Sequence, residues 1–458
     1  MTSFDLVISG ADVVTPGGVV ARDVGITGER IAAIAPGLSG TRRIDASGCL
    51  LLPGAIDMHV HLSAQLDARE QFADDFASGT RAALAGGVTT VGQMSFPDDD
   101  AGPSFAAALD RDARAVHRDA VADVLLHPSV VFPAAETLLE IATLRERGCT
   151  SIKLVLNALD WRAGTPVIAS LVAAAGQGAL PMLHCEDEAL IDYATSTLLE
   201  AGRGGIENYP ESRPVGSEVA AVERAIAIAE ATGTAVYLVH LSSAGAVDAV
   251  RRAKARGVAV FAETRPLYLY LTADVHARPD GAKYVGMPPV RSARDIDALW
   301  TALADGTLDT IATDHAPWTL AQKLDPERTI LTSLKGVAEL DTFLPMLYTE
   351  GVLTGRLSLQ RLVEVVASSP ARLFGLGATK GSIEVGKHAD LVVLDPVAER
   401  VIDGAALHSR AGYSVYDGRS ARGWPTFVVS RGDVVVSHGE VTAQAGRGRL
   451  LNEELTHV

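Results

Sequence analysis

His59 and His61 stand two residues apart in Ala55-Ile56-Asp57-Met58-His59-Val60-His61-Leu62. On a strand, residues i and i+2 face the same way, so the two imidazoles project together. Imidazole nitrogen is a good ligand for zinc and its neighbours. The bland alternative is a pair of surface histidines, against which the apolar flanks argue. Further polar residues close other apolar runs: His184 in Pro181-Met182-Leu183-His184, His240 in Val236-Tyr237-Leu238-Val239-His240, and Asp314 with His315 after Thr310-Ile311-Ala312-Thr313. A lone histidine in such a run is more often a satisfied core residue. Several converging strands weaken that alternative and point to a metal site. Lys153 interrupts Ser151-Ile152-Lys153-Leu154-Val155, and the chain has only seven lysines. An unpaired buried ammonium is costly. Burial favours the neutral amine, a nucleophile able to add carbon dioxide and become an anionic carbamate. A lysine that snorkels to water, or pairs with a buried acid, is the competing reading.

These residues need a scaffold that brings strand ends together. Eight candidate strands run over Ala55–Leu62, Thr89–Phe96, Asp123–Phe132, Ser151–Asn157, Pro181–Asp187, Ala235–Ser242, Val258–Pro266 and Asp309–Pro317. Helical patterns follow them, among them Asp75–Leu84, Ala135–Arg147, Val219–Ala231 and Ala246–Arg256. Eight strand-helix units predict an α/β fold, a (β/α)8 barrel whose site lies at the C-terminal ends of the strands. An open doubly wound sheet is the rival, but no Gly-rich phosphate loop follows the first strand. Short β-like runs at both ends, such as Leu6-Val7-Ile8 and Val434-Val435-Val436, are expected to pair as one discontinuous β-sandwich. The expected division is residues 1–52 and 379–458 for the two halves of the sandwich, with the tail, and 53–378 for the barrel. The run Asp98-Asp99-Asp100 reads as a solvated loop.

The chain has 458 residues, 48% of them hydrophobic and 21% charged, with a formal net charge of -16. A core of this size needs no disulfides, and Cys49, Cys149 and Cys185 form no CxxC pair. A cytoplasmic setting is expected. The acidic balance argues against nucleic acid or an anionic membrane as partner. No apolar run of 18 or more residues suggests a membrane span, and the first residues do not resemble a secretory signal.

Taken together, Leu52-Pro53-Gly54-Ala55-Ile56-Asp57-Met58-His59-Val60-His61, Ser151-Ile152-Lys153, His184 with Glu186, His240 with Ser242, Thr313-Asp314-His315-Ala316-Pro317 and Gly386-Lys387-His388-Ala389-Asp390-Leu391 resemble the amidohydrolase superfamily. The similarity is closest to the cyclic-amidase branch of hydantoinases, dihydropyrimidinases and allantoinases, and it covers nearly the whole chain. It implies two divalent metal ions, zinc foremost. His59, His61 and Asp314 would hold one ion and His184 and His240 the other, with a carbamate on Lys153 bridging them. It also implies hydrolysis of a small cyclic amide by a hydroxide shared between the ions. Asp314 would act as general base and then as acid toward the departing ring nitrogen. A homo-oligomer, tetramer or dimer, is expected on the same ground.

Departures from the family bear on the substrate. Dihydroorotases usually carry Arg just after the HxH pair, where this chain has Leu62-Ser63-Ala64-Gln65, and Asn after the second strand, where it has Gln93-Met94. D-hydantoinases and dihydropyrimidinases usually have Tyr five residues after the bridging lysine; here that position is Ala158, preceded by Asn157. The family's Glu-Thr-Cys-Pro becomes Glu263-Thr264-Arg265-Pro266, so Arg265 could meet a substrate acid or urea group, or pair with a neighbouring carboxylate. Met287 stands where many relatives have a small polar residue, and suits an apolar ring substituent or simply fills space. The loop around Gly336 is expected to offer backbone groups to the substrate. His315 either orients Asp314 or is structural, and Asp74 reads as a helix cap. Glu211-Ser212-Arg213-Pro214 resembles allantoinases. The leading expectation is a hydantoinase or dihydropyrimidinase. Allantoinase is the alternative, and dihydroorotase or a non-catalytic scaffold relative is a weaker one.

Overall fold

The computed structural model describes residues 3–62, 71–97, 104–131 and 137–456. Ser63 to Gln65, the acidic run Asp98 to Asp100, Phe132 and the first two residues of the expected helix at Ala135 lie outside them. The chain begins with seven short strands: β1 (Phe4–Ser9), β2 (Asp12–Thr15), β3 (Gly18–Ala21), β4 (Asp23–Thr27), β5 (Arg30–Ala35), β6 (Gly40–Asp45) and β7 (Leu50–Pro53). Eight barrel strands follow: β8 (Ala55–Val60), β9 (Val88–Ser95), β10 (Asp123–Val130), β11 (Ser151–Val155), β12 (Leu180–His184), β13 (Val236–Leu238), β14 (Val260–Thr264) and β15 (Thr310–Ile311). The last strands are β16 (Leu391–Val401), β17 (Ser420–Ser430), β18 (Asp433–Ser437) and β19 (Glu440–Val441).

Strands β8 to β15 pair in sequence order, every pair parallel. Near the ends of β8 and β15 the ring is drawn together by a parallel bridge between Val60 and His315 and a 2.8 Å hydrogen bond from His61 N to His315 O. Such an eight-strand barrel with helices outside is the expected architecture. All eight expected strands are present. All eight stop short of their expected C-terminal ends, and beyond β8, β13 and β15 the chain leaves the ladder to carry His61, His240 and Asp314.

Helices form where the pattern places them, with local differences at their ends. The helix Phe76–Ala85 is capped by Asp75, which accepts from Ser78 N in a capping box. The cap is therefore Asp75, not Asp74. Among the described residues of the helix expected over Ala135–Arg147, Thr137–Ile141 is the regular part. Beyond it the chain runs through turns, with Leu144 N bonded to Ile141 O and Gly148 N to Arg145 O. Asn157 lies not at a strand end but in the first turn of the helix Leu156–Ala175, which is broken at Gly164 by a positive φ of 63°.

The two ends of the chain share a sheet. In the order β19-β18-β17-β16-β7-β2-β3, N-terminal β7 pairs antiparallel with C-terminal β16, Leu52 opposite Val392. A second sheet, β5-β4-β1-β6, is N-terminal throughout. Leu6, Ile8, Val24 and Ile26 from that sheet join Val13, Leu51, Leu391 and Val393 from the other in one apolar cluster. This is the discontinuous sandwich expected from the terminal β runs. The tail then returns to the barrel: Asn452, in the helix Leu451–Leu455, accepts from Leu126 N, and Arg449 O accepts from Val124 N. A buried ionic cluster joins the parts. Lys380 Nζ bonds Asp123 (2.8 Å) and Asp390 (2.6 Å), and Arg431 Nε bonds Asp123 (3.1 Å).

Candidate metal centre

His59 lies one residue before the C-terminal end of β8 and His61 one residue beyond it, so that strand end brings both to one mouth of the barrel. Asp314 arrives from the segment after β15. Their ligand atoms all lie within 4.8 Å of one another. His61 Nε2 is 2.9 Å and His59 Nε2 3.3 Å from Asp314 Oδ1. Lys153, on β11, brings Nζ to 3.3 Å from His59 Nε2. His184, at the end of β12, and His240, just beyond β13, face each other with Nδ1 and Nε2 2.9 Å apart. The His59 and His240 rings are 5.5 Å apart, so the six side chains form one continuous cluster.

The surroundings fix which ring nitrogens point inward. His59 Nδ1 lies 2.9 Å from Glu263 Oε1, and His184 Nε2 lies 2.9 Å from Glu186 Oε2. A carboxylate accepting from one ring nitrogen leaves the lone pair of the other turned into the cluster. Glu186 is itself held by Arg213 through Nε (2.9 Å) and Nη2 (2.6 Å). Arg213, singled out as allantoinase-like, thus supports His184. Glu263 also receives the Tyr237 hydroxyl and His240 N. The orienting parts of Glu263, Glu186 and Arg213 were missed at the sequence level. The only signal was Glu186 two residues beyond His184 and Glu263 on a barrel strand.

Electrostatics suit ligation. Burial holds the His59 and His240 imidazoles well below their ordinary range and lowers His184. Neutral imidazole is the form that binds metal. Burial likewise pushes the Lys153 amine down to about 8, against the pull of Asp314 and Glu263. For Asp314 burial opposes ionisation, but the Arg265 guanidinium beside it, with His59 and His61, holds the carboxyl well below the usual carboxylate range. Two residues at the site, His240 (φ 40°) and Asp314 (φ 49°), occupy the left-handed region. Non-glycine residues enter it at a cost, and such outliers gather at functional sites. A donor set of four imidazoles, a carboxylate and a buried amine fits divalent transition ions.

The remaining candidates fall in different places. Arg265 has no exposed surface; Nη1 bonds Asp314 Oδ2 (2.7 Å), while Nε and Nη2 bond Glu339 Oε2. It pairs with carboxylates, one of the two sequence-level options. His315 is also fully buried. Its Nε2 lies 2.9 Å from Asp74 Oδ2, and its Nδ1 accepts from Glu339 N, so it braces backbone and Asp74 rather than bonding Asp314. Gly336 has φ 122° and stands so close to Ala316 that a Cβ would lie 2.4 Å from the Ala316 oxygen. Its N–H goes to Val285 O, and its carbonyl accepts from Lys323 Nζ. Lys323 Nζ also bonds Val285 O and Leu334 O, tying the 285 and 334–336 loops together. Met287 is half-buried on the first of these loops, and Asn157 donates to Glu188. Gln93, where dihydroorotases have Asn, spends its amide on the backbone of Leu62.

A barrel with this cluster at its mouth is matched by the model of the amidohydrolase family over residues 50–435. The chain belongs to the amidohydrolase family, in its cyclic-amidase branch. Among amidohydrolases it is 36% identical over 457 residues to a D-hydantoinase of Ralstonia pickettii, covering 98% of each chain. Two solved structures superpose with a TM-score of 0.93. One is the D-hydantoinase of Bacillus sp. AR9, 33% identical, covering 98% of this amidohydrolase and 99% of that chain. The other is the dihydropyrimidinase of Brevibacillus agri, 32% identical, with 97% and 98% covered.

Proposed function

We propose that this amidohydrolase opens the ring of a hydantoin or a dihydropyrimidine, adding water across one ring C–N bond to leave a ureido acid. It is a metal-dependent cyclic amide hydrolase. The observation that carries the reading is the gathering of His59, His61, Lys153, His184, His240 and Asp314 at one barrel mouth.

His59, His61 and Asp314 would hold one divalent cation, and His184 and His240 a second, with zinc the ion that suits the set best. The neutral Lys153 amine would add carbon dioxide through nitrogen and lose a proton, and the resulting carbamate would supply a further anionic ligand beside these residues. When bound, the cations polarise the ring carbonyl and make hydroxide available at neutral pH. Asp314 accepts the proton of the attacking water and returns it to the departing ring nitrogen. Glu263 and Glu186 keep the inner nitrogens of His59 and His184 free of protons.

Met287, Asn157 and the loop about Gly336 are assigned to the substrate side, although the N–H and carbonyl of Gly336 itself are bonded within the protein. Arg265 and His315, with no exposed surface, act through their neighbours instead. The barrel is assigned to residues 53–378, and the flanking segments 1–52 and 379–458 to the β domain. No helix among the described residues is long and apolar enough to cross a membrane, and all three cysteines are free. The free cysteines support a cytoplasmic setting. Exposed Leu190, Tyr193 and Leu199 on one helix support a homo-oligomer, tetramer or dimer.

The test is ring-opening by metal-replete protein on hydantoin, 5-substituted hydantoins of both hands, dihydrouracil, allantoin and dihydroorotate. Fastest turnover is expected on a hydantoin or dihydrouracil. Preference for allantoin, or no turnover of any ring, would overturn the assignment.

A further inference from the structure

Arg265 is a fully buried cation one hydrogen bond away from Asp314, and nothing in the hydrolytic chemistry requires it. Its guanidinium bridges two carboxylates: Nη1 reaches Asp314 Oδ2 at 2.7 Å, while Nε and Nη2 reach Glu339 Oε2 at 3.1 and 2.7 Å. Glu339 Oε1, the remaining oxygen, accepts from the hydroxyl of Tyr416. Tyr416 comes from the C-terminal segment beyond β16, is 1% exposed, and belongs to none of the barrel strands. We propose that the C-terminal segment positions the catalytic carboxylate through this relay, Tyr416 to Glu339 to Arg265 to Asp314. Arg265, Glu339 and Tyr416 are then positioning residues. The proposal rests on the assignment of Asp314 as the proton-transferring group.

Three observations carry it. First, the two oxygens of Asp314 are divided: Oδ1 faces His59 and His61, and Oδ2 faces Arg265. A carboxylate held at both oxygens has one orientation, whereas one held at a single oxygen can rotate about its terminal torsion. Second, the backbone of Asp314 is in the left-handed region at φ 49°. A residue there persists only when its surroundings over-determine it. Third, a parallel arm from the same C-terminal segment ends beside the first. Ser409 Oγ and Arg410 N bond Asp74, Asp74 bonds His315, and His315 Nδ1 accepts from Glu339 N. Both arms converge on Glu339, one on its side chain and one on its backbone. A guanidinium bridging two carboxylates suits this duty, because its planar set of donors fixes direction as well as distance.

The test is a double-mutant cycle of Tyr416→Phe and Arg265→Gln on the metal-replete enzyme, with kcat, KM and thermal midpoint measured for each. Tyr416→Phe removes one hydroxyl from a group remote from the substrate and leaves the ring packing in place. It is expected to lower kcat about tenfold, the cost of one hydrogen bond to a charged group, with KM unchanged. Arg265→Gln is expected to lower kcat about 100-fold or more, and Arg265→Lys to restore part of that loss. The double variant is expected to match Arg265→Gln alone, because Tyr416 acts only through Arg265. Losses that multiply in the double variant, or an unchanged kcat in Tyr416→Phe, would overturn the relay. Wild-type turnover separately reports on the assigned reaction. Independently of turnover, a crystal structure of Arg265→Gln should show the Asp314 carboxylate rotated away from His61; an unmoved carboxylate would overturn the proposal even in an inactive protein.

Discussion

Lys153 Nζ lies 3.3 Å from Nε2 of His59, although 94 positions separate the two residues in the chain. Neither has water to satisfy it: Lys153 is 3% exposed and His59 1%. A lysine in that place does not snorkel. It is enclosed by the cluster of His59, His184, His240 and Asp314, and its burial favours the neutral amine.

Lys153→Ala is therefore expected to lose at least one metal ion per chain. Elemental analysis of the purified variant checks this, beside wild type prepared in bicarbonate. Retention of both ions would remove Lys153 as the bridge.

Asp314→Asn keeps the shape of the side chain and its contact with Arg265, but loses the charge and the ability to accept a proton. Turnover is expected to fall on the order of 100- to 10,000-fold, the range for losing a positioned general base. Far-ultraviolet circular dichroism should be unchanged. A near-normal rate would assign proton transfer to another group.

Lys380 is 2% exposed and bonds Asp123 at the start of β10 and Asp390 just before β16. Replacing it with Met leaves two buried carboxylates short of their shared cation. Breaking a buried pair this way costs about 3–5 kcal/mol. Urea unfolding of Lys380→Met should show that loss. A loss under about 1 kcal/mol would mean that Arg431 alone suffices for Asp123.

The same cluster predicts an acid limit. Burial opposes ionisation of Asp123, but Lys380 and Arg431 together bring it down to about 2. Its folded value is thus depressed below the ordinary carboxylate range near 4. The stability it contributes is fully present above that ordinary value and is lost as pH falls from about 4 toward 2. Unfolding midpoints at stepped pH should fall in this window, and Asp123→Asn should flatten the fall. An equal slope in the variant would place the acid sensitivity elsewhere.

Much of this protein is legible in its sequence, for reasons of periodicity and chemistry. Apolar runs separated by amphipathic stretches predict eight strands in order, because each barrel strand is buried on both faces and so is mostly apolar. The i, i+2 spacing of His59 and His61 puts both on one side of β8. A lysine inside such a run, at Lys153, is conspicuous because burial makes it expensive. What the sequence could not disclose are the partners of these residues. Asp74 reads as a cap because it precedes a helix, yet Asp75 caps and Asp74 bonds His315, Ser409 and Arg410. Arg265 stands in a familiar motif beside Glu263, but only the fold brings Asp314 and Glu339 onto its two sides. The pairing of β7 with β16, and the return of the tail to β10, unite residues more than 300 positions apart. Side-chain type and local period are properties of neighbours along the chain, so the sequence alone determined the strands and the ligand types. Hydrogen bonds and ion pairs depend on distances of about 3 Å between remote residues. Only the folded barrel, with the C-terminal segment packed against it, decided which groups meet.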